Sequence, residues 1–94
     1  MRTDSIMPKS LYYSTERFYG SELHHIFYGT ANRKLSDEDG LIVFLTPEAH
    51  RGRTGVHFDK DFDLYLKRKA QQAWQDYYGK SENDFIKRYG RSYI

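Results

Sequence analysis

The feature that most restricts this chain is Leu41-Ile42-Val43-Phe44-Leu45, five apolar residues without interruption. Such a run marks a strand buried on both faces, so the remaining residues have to cover it from two sides. They are few: 94 in all, enough for one small domain with one modest core. A domain of this size is marginally stable unless a metal, a partner or a second copy of itself contributes. Cysteine is absent, so a bound metal has to be held by imidazole, carboxylate and water. There is no secretory signal pattern and no apolar run approaching a membrane span. A soluble, cytoplasmic chain with no membrane partner is expected.

The rest of the sequence divides around that strand. Residues 1–10 have no periodicity and read as a flexible arm. Two aromatic patches, Leu11–Tyr13 and Phe18–Tyr19, enclose the polar turn Ser14-Thr15-Glu16-Arg17 and predict a hairpin or knuckle closing at Gly20. Glu22–Tyr28 reads as a first strand, carried by Ile26, Phe27 and Tyr28. Gly29 to Gly40, with Asn32, Arg33, Lys34 and the acidic run Asp37-Glu38-Asp39, reads as a polar loop. After the apolar strand, Pro47-Glu48-Ala49-His50 opens a short helix, since proline suits a first helical position. Arg51–Gly55 reads as a flexible basic loop. Phe62, Leu66, Ala70, Ala73 and Tyr77, with Trp74 beside them, then space out one apolar face of a long helix. Asp59, Asp61 and Asp63 suit its N-terminus, Asp63–Lys67 is an i, i+4 pair, and Gly79 is its stop. Ser81 with Asp84 predicts a capping box for a last short helix, docked by Phe85, Ile86 and Tyr89 before Gly90.

Charge is uneven, −2 over residues 1–50 and +4 over residues 51–94, and local basic surface is what nucleic acid responds to. Nine tyrosines and six phenylalanines fill a small core and an interface or, for some of them, stack on bases. All four histidines lie between positions 24 and 57: His24-His25, His50 and His57. Imidazole is the commonest neutral metal ligand and titrates nearest neutral pH, so the cluster points to a metal site with a base beside it. The available donors favour Mg, Mn, Ni or an open Zn site. Side chains alternate along a strand, so His24 and His25 reach one site only if the strand ends or bends there. The competing reading is two ordinary strand histidines, one facing in and one out, with His50 and His57 in local roles around the helix entry. The order strand, loop, strand, turn, helix is that of a ββα unit that holds a cation against a scissile phosphate. There the metal neutralises developing charge, an imidazole takes a proton from water, and cations position the backbone.

Leu23-His24-His25-Ile26-Phe27 resembles the first motif of the HNH nucleases, the ββα-metal or His-Me finger group. The resemblance continues through Leu41–His50 and Gly55-Val56-His57. It is to small HNH-like proteins encoded among phage recombination and replication genes, in which a segment like His24–Ser36 precedes the apolar strand and a tail like Phe85–Ile94 ends the chain. The resemblance covers roughly residues 10–94. It implies an α+β fold in a single domain spanning 1–94: a ββα-metal core, a long amphipathic helix and a short C-terminal helix. By position, His24, His50 and His57 resemble the ligands of a divalent ion (Mg, Mn, Ni or Zn), and His25 resembles the general base. The implied activity is metal-dependent cleavage of a DNA phosphodiester by an endonuclease or nickase. Charge and placement add Arg33, Lys34, Arg51 and Arg53 as phosphate contacts, with a solvated loop surface as their alternative.

The chain departs from that pattern in three places, one of them the seven-residue step from His50 to His57, longer than the compact helical spacing of many members. Related proteins often carry cysteine pairs for a structural zinc where this chain has Tyr12, Tyr13, Ser14 and Thr46. Either the aromatic cluster takes over as core or the chain forms a homodimer. Asp39-Gly40 stands where the family's asparagine begins the second strand. These departures keep a second function open: a catalytically silent HNH-like binding protein, such as a phage-encoded inhibitor of a host nuclease, of the anti-CRISPR kind. The expected partners are DNA and a phage or host nuclease or recombination protein. A third option is a nucleic-acid-binding accessory using Lys67-Arg68-Lys69 and the C-terminal basic face.

Overall fold

A computed structural model describes residues 4–53 and 55–94. The chain is an α+β protein of four helices and a two-stranded antiparallel sheet. The elements run β1 (Glu22–His25), α1 (Thr30–Asp39), β2 (Ile42–Leu45), α2 (Pro47–Arg51), α3 (Lys60–Tyr78) and α4 (Glu82–Tyr89). No helix among the described residues is long and apolar enough to cross a membrane.

The apolar run does form a strand buried on both faces, and the two faces have different cover. Leu41, Val43 and Leu45 enter the main core with Ile26, Phe27, Leu66, Ala70, Trp74 and Phe85. Ile42 and Phe44 alternate to the other side. There the Arg17 guanidinium lies 5.0 Å from the Phe44 ring centre, and Ser5 donates its hydroxyl to the Ile42 carbonyl. Ser14 exchanges two backbone hydrogen bonds with Phe44, so the knuckle segment pairs with β2 as well as turning at Gly20. Of the expected flexible arm, residues 1–3 lie outside the described residues. Within the remainder, Ile6 and Met7 are docked: Met7 is 5% exposed, and the Ile6 amide donates to the Gly40 carbonyl.

Two expectations are corrected. The first strand ends at His25, three residues early, because its backbone finds other partners. Ile26 still donates to the Leu41 carbonyl, but Phe27 donates to Ser36 Oγ and accepts from it, at 3.0 and 2.7 Å. Residues 30–39, expected as part of a loop, form α1. Its buried side chains are Ser36 and Asp39, and the half-buried Leu35 is its one apolar contact with the core, so no apolar period announces it. Its acidic run lies at the C-terminal end, where the helix dipole disfavours negative charge. Asp39 offsets that by accepting from Trp74, Tyr89 and the Arg88 guanidinium. Gly40, at φ 80, closes the helix in the left-handed conformation that glycine adopts without strain.

The other helices follow their sequence signals. Thr46 caps α2 with proline behind it, and Asp59 caps α3 by accepting from the Asp61 and Phe62 amides. Ser81 and Asp84 form the reciprocal capping box of α4, and those hydrogen bonds hold the Asp84 carboxyl below its usual range. On α3 the stripe continues Phe62, Leu66, Ala70 to Trp74, a straight i+4 row, while Tyr77 is turned out at 67% exposed. Ile86 of α4 is also largely outside the core. Gln71 is fully buried, donating to Gln75 and Ser92 and accepting from the Tyr93 amide, which fastens the C-terminal residues to α3.

Candidate metal centre

β1, the end of α2 and the loop before α3 converge on one point. Antiparallel pairing sets His24 opposite Val43, on the core side of the sheet, and leaves it 2% exposed. His50 arrives from the last turn of α2. The seven-residue step to His57 is folded back against α2: the Val56 amide donates to the Ala49 carbonyl, and a Cβ on Gly55 would stand 2.6 Å from the Glu48 carbonyl oxygen. Glycine at 55 is what permits that approach. Thr54, in the same loop, lies outside the described residues.

The three rings form a nearly regular triangle. Their centres are 5.1 Å apart for His24–His50, 5.2 Å for His24–His57 and 4.8 Å for His50–His57. Each offers a nitrogen, and the three nitrogens lie within 4.8 Å of one another. His50 Nε2 and His57 Nε2 are 3.1 Å apart. Two nitrogens bound to one ion at about 2.1 Å are separated by roughly 3.0–3.4 Å at octahedral or tetrahedral angles. His24 Nε2 is buried with no hydrogen-bond partner. Most buried polar atoms are paired, and an unpaired one costs about 1–3 kcal/mol. A shared divalent ion satisfies that nitrogen, so the residues fit a metal.

Electrostatics keep the donors available. Burial, then the neighbouring His50, His57, His25 and Lys67, lower His24 to about 3, so it is neutral throughout the physiological range. His57 is lowered as well, by burial first and His50 second. The Glu22 carboxyl is held down at about 2 by the Arg51 guanidinium and then by His50. A pH effect on the metal-free protein follows. Between pH 6.5 and about 3 the unfolded chain takes a proton at His24 that the folded chain refuses. Stability is full above pH 6.5 and falls as the pH drops through that window, by at most about 1.4 kcal/mol per unit. Urea denaturation in chelator at pH 7 and pH 5 measures it, and equal midpoints would contradict a neutral, buried His24.

His25, the last residue of β1, turns away from the triangle. Its Nε2 is 3.4 Å from Asp37 Oδ1 on α1. It still lines the same cleft of about 270 Å³ as His24, His50, His57, Tyr28 and Arg33. The alternation of strand side chains is thus respected, and the strand end lets both histidines border one space. Arg33 lies on the cleft, and Lys34 beside it with His25 and Asp37. Arg51 makes hydrogen bonds of 2.9–3.0 Å to both carboxylate oxygens of Glu22. Arg53 is exposed on the loop.

Sequence reading passed over three contributors. Glu22 is 2.9 Å from His50 Nδ1. Asp37 belongs to the helix that was expected as a loop. Tyr28 stands against His57 and His24, its hydroxyl donating to Asp63, which also pairs with Lys67 at 2.9 Å. Glu22, two residues before His24 on a strand and so on the same face, was the one partner legible from spacing. Compared with protein-family models, with curated proteins and with solved structures, the chain finds no match in any of the three.

Proposed function

We propose that this protein is a metal-dependent DNA phosphodiesterase, an endonuclease or nickase of the HNH type. The observation that carries the reading is the buried, unpartnered His24 Nε2 inside a triangle of imidazoles, with a fourth histidine on the same cleft. A divalent ion held by His24, His50 and His57 would supply positive charge to the phosphate oxygens as they become more negative. His25, in the tautomer that donates Nε2–H to Asp37, keeps the Nδ1 lone pair for the proton of the attacking water. The water oxygen bonds to phosphorus, the bond to the leaving oxygen breaks, and solvent protonates that oxygen. Arg33 and Lys34, exposed beside His25, hold the flanking phosphates.

The test is conversion of supercoiled plasmid to nicked or linear DNA with Mg, Mn, Ni or Zn. His25→Ala is expected to lower the rate by roughly 10²–10⁴-fold, the usual contribution of a general base, while metal binding is retained. A folded, metal-loaded protein that cuts nothing sinks the reading and favours the silent, binding alternative. One feature supports that alternative: the position of the family's asparagine is held by Asp39, whose carboxylate is wholly engaged in packing α1 against α3 and α4.

A further inference from the structure

We propose that Glu22 is a positioning residue for this centre, fixing the His50 ring so that its Nε2 presents a lone pair to the metal. The inference rests on the metal reading above. Glu22 Oε1 lies 2.9 Å from His50 Nδ1. A carboxylate can only accept, so Nδ1 of a neutral His50 carries the hydrogen and Nε2 is left bare. That bare nitrogen is the one 3.1 Å from His57 Nε2. A metal-bound imidazole characteristically donates its second N–H to a carboxylate, which fixes the tautomer and strengthens the ring as a donor.

The register explains why Glu22 is in place. It is opposite Leu45, one residue before the Thr46 cap of α2, and it shares the face of β1 that carries His24. The first residue of β1 therefore meets the last turn of α2. Arg51, next to His50 in the chain, grips both oxygens of the carboxylate from the other side. Arg51 thus acts on Glu22, and through it on His50, rather than on a phosphate.

Cobalt(II) is the probe, because its visible absorption reports imidazole coordination directly. Glu22→Ala is expected to weaken cobalt binding about 10–100-fold and to alter the spectrum. Glu22→Gln keeps an accepting oxygen without the charge and is expected to lose less; Arg51→Ala leaves the carboxylate in place and is expected to lose least. The metal-free melting temperature is expected to move only slightly, since an exposed ion pair contributes little. If Glu22→Ala binds cobalt as tightly as the wild type with the same spectrum, Glu22 is a surface partner of Arg51 and the proposal fails. Should the alanine variant not fold, Glu22→Gln with unchanged affinity and spectrum overturns it in the same way. A wild type that binds no cobalt overturns the metal reading itself, a result visible before any variant is made.

Discussion

A transition-metal ion at about a hundred times its dissociation constant is expected to raise the melting temperature of this protein by on the order of 10–20 °C. The size follows from mass action: an ion that binds only the folded chain adds about 2.7 kcal/mol at that ratio, and a domain of this length gains about 4–8 °C per kcal/mol. The direction follows from the triangle. His24 Nε2 has no partner in the folded chain, and the His50 and His57 nitrogens already stand at the separation of two ligands on one ion. His50→Ala is expected to remove most of the increment while costing the metal-free protein little, since His50 lies at the edge of the core and its side-chain partners, Glu22 and His57, lie toward the surface. Thermal melts in chelator and in Zn, Ni or Mn provide the comparison. Melting curves that coincide with and without every ion would remove the metal from the account of this cluster.

The largest loss of stability from a single substitution outside the apolar core is expected at Asp39. Its carboxylate accepts from Trp74 Nε1 at 2.9 Å, from the Tyr89 hydroxyl at 2.7 Å, and from Arg88 Nε and Nη2 at 2.6 and 2.8 Å. Burial and this carboxylate push the Tyr89 hydroxyl far up, so it remains a donor. Asp39→Ala leaves three donor groups, one of them charged, without their acceptor in a site that is 8% exposed. Breaking a buried charge pair from one side costs about 3–5 kcal/mol, a large part of the 5–15 kcal/mol that holds a typical domain. Asp39→Asn keeps the shape but turns an amide N–H₂ toward other donors, and an intermediate loss is expected. Urea midpoints of the three proteins decide it. A loss below about 1 kcal/mol for the alanine variant would mean that the network is replaced by water at no cost.

What the sequence revealed and what it hid divide along physical lines. Elements written in apolar periods and caps were legible: β2 from five apolar residues, α3 from its i+4 row, α4 from Ser81 and Asp84, and α2 from Thr46-Pro47. The histidine cluster was legible because all four histidines fall between positions 24 and 57 and frame one turn, while the choice of His24, His50 and His57 as its ligands came from the family resemblance. Helix α1 was hidden because the side chains it buries are Ser36 and Asp39, whose inward position is justified only by partners far along the chain. The docking of Met7 was hidden for a related reason, since an isolated apolar residue has no period. Asp37 could not be assigned to His25 while its segment was taken for a loop. Glu22, by contrast, was within reach of the alternation rule, but nothing in the sequence says that α2 would return over the start of β1.

The clasp between Ser36 and Phe27 has a consequence for motion. Two hydrogen bonds join the backbone just beyond His25 to the middle of α1. The wall bearing Arg33, Lys34 and Asp37 is thereby tied to the strand bearing His24 and His25. The opposite wall is joined differently, for His57 follows a glycine turn that leans on α2. Under the proposed reading, any widening of the cleft on that side would also displace His57, one of the three proposed metal ligands.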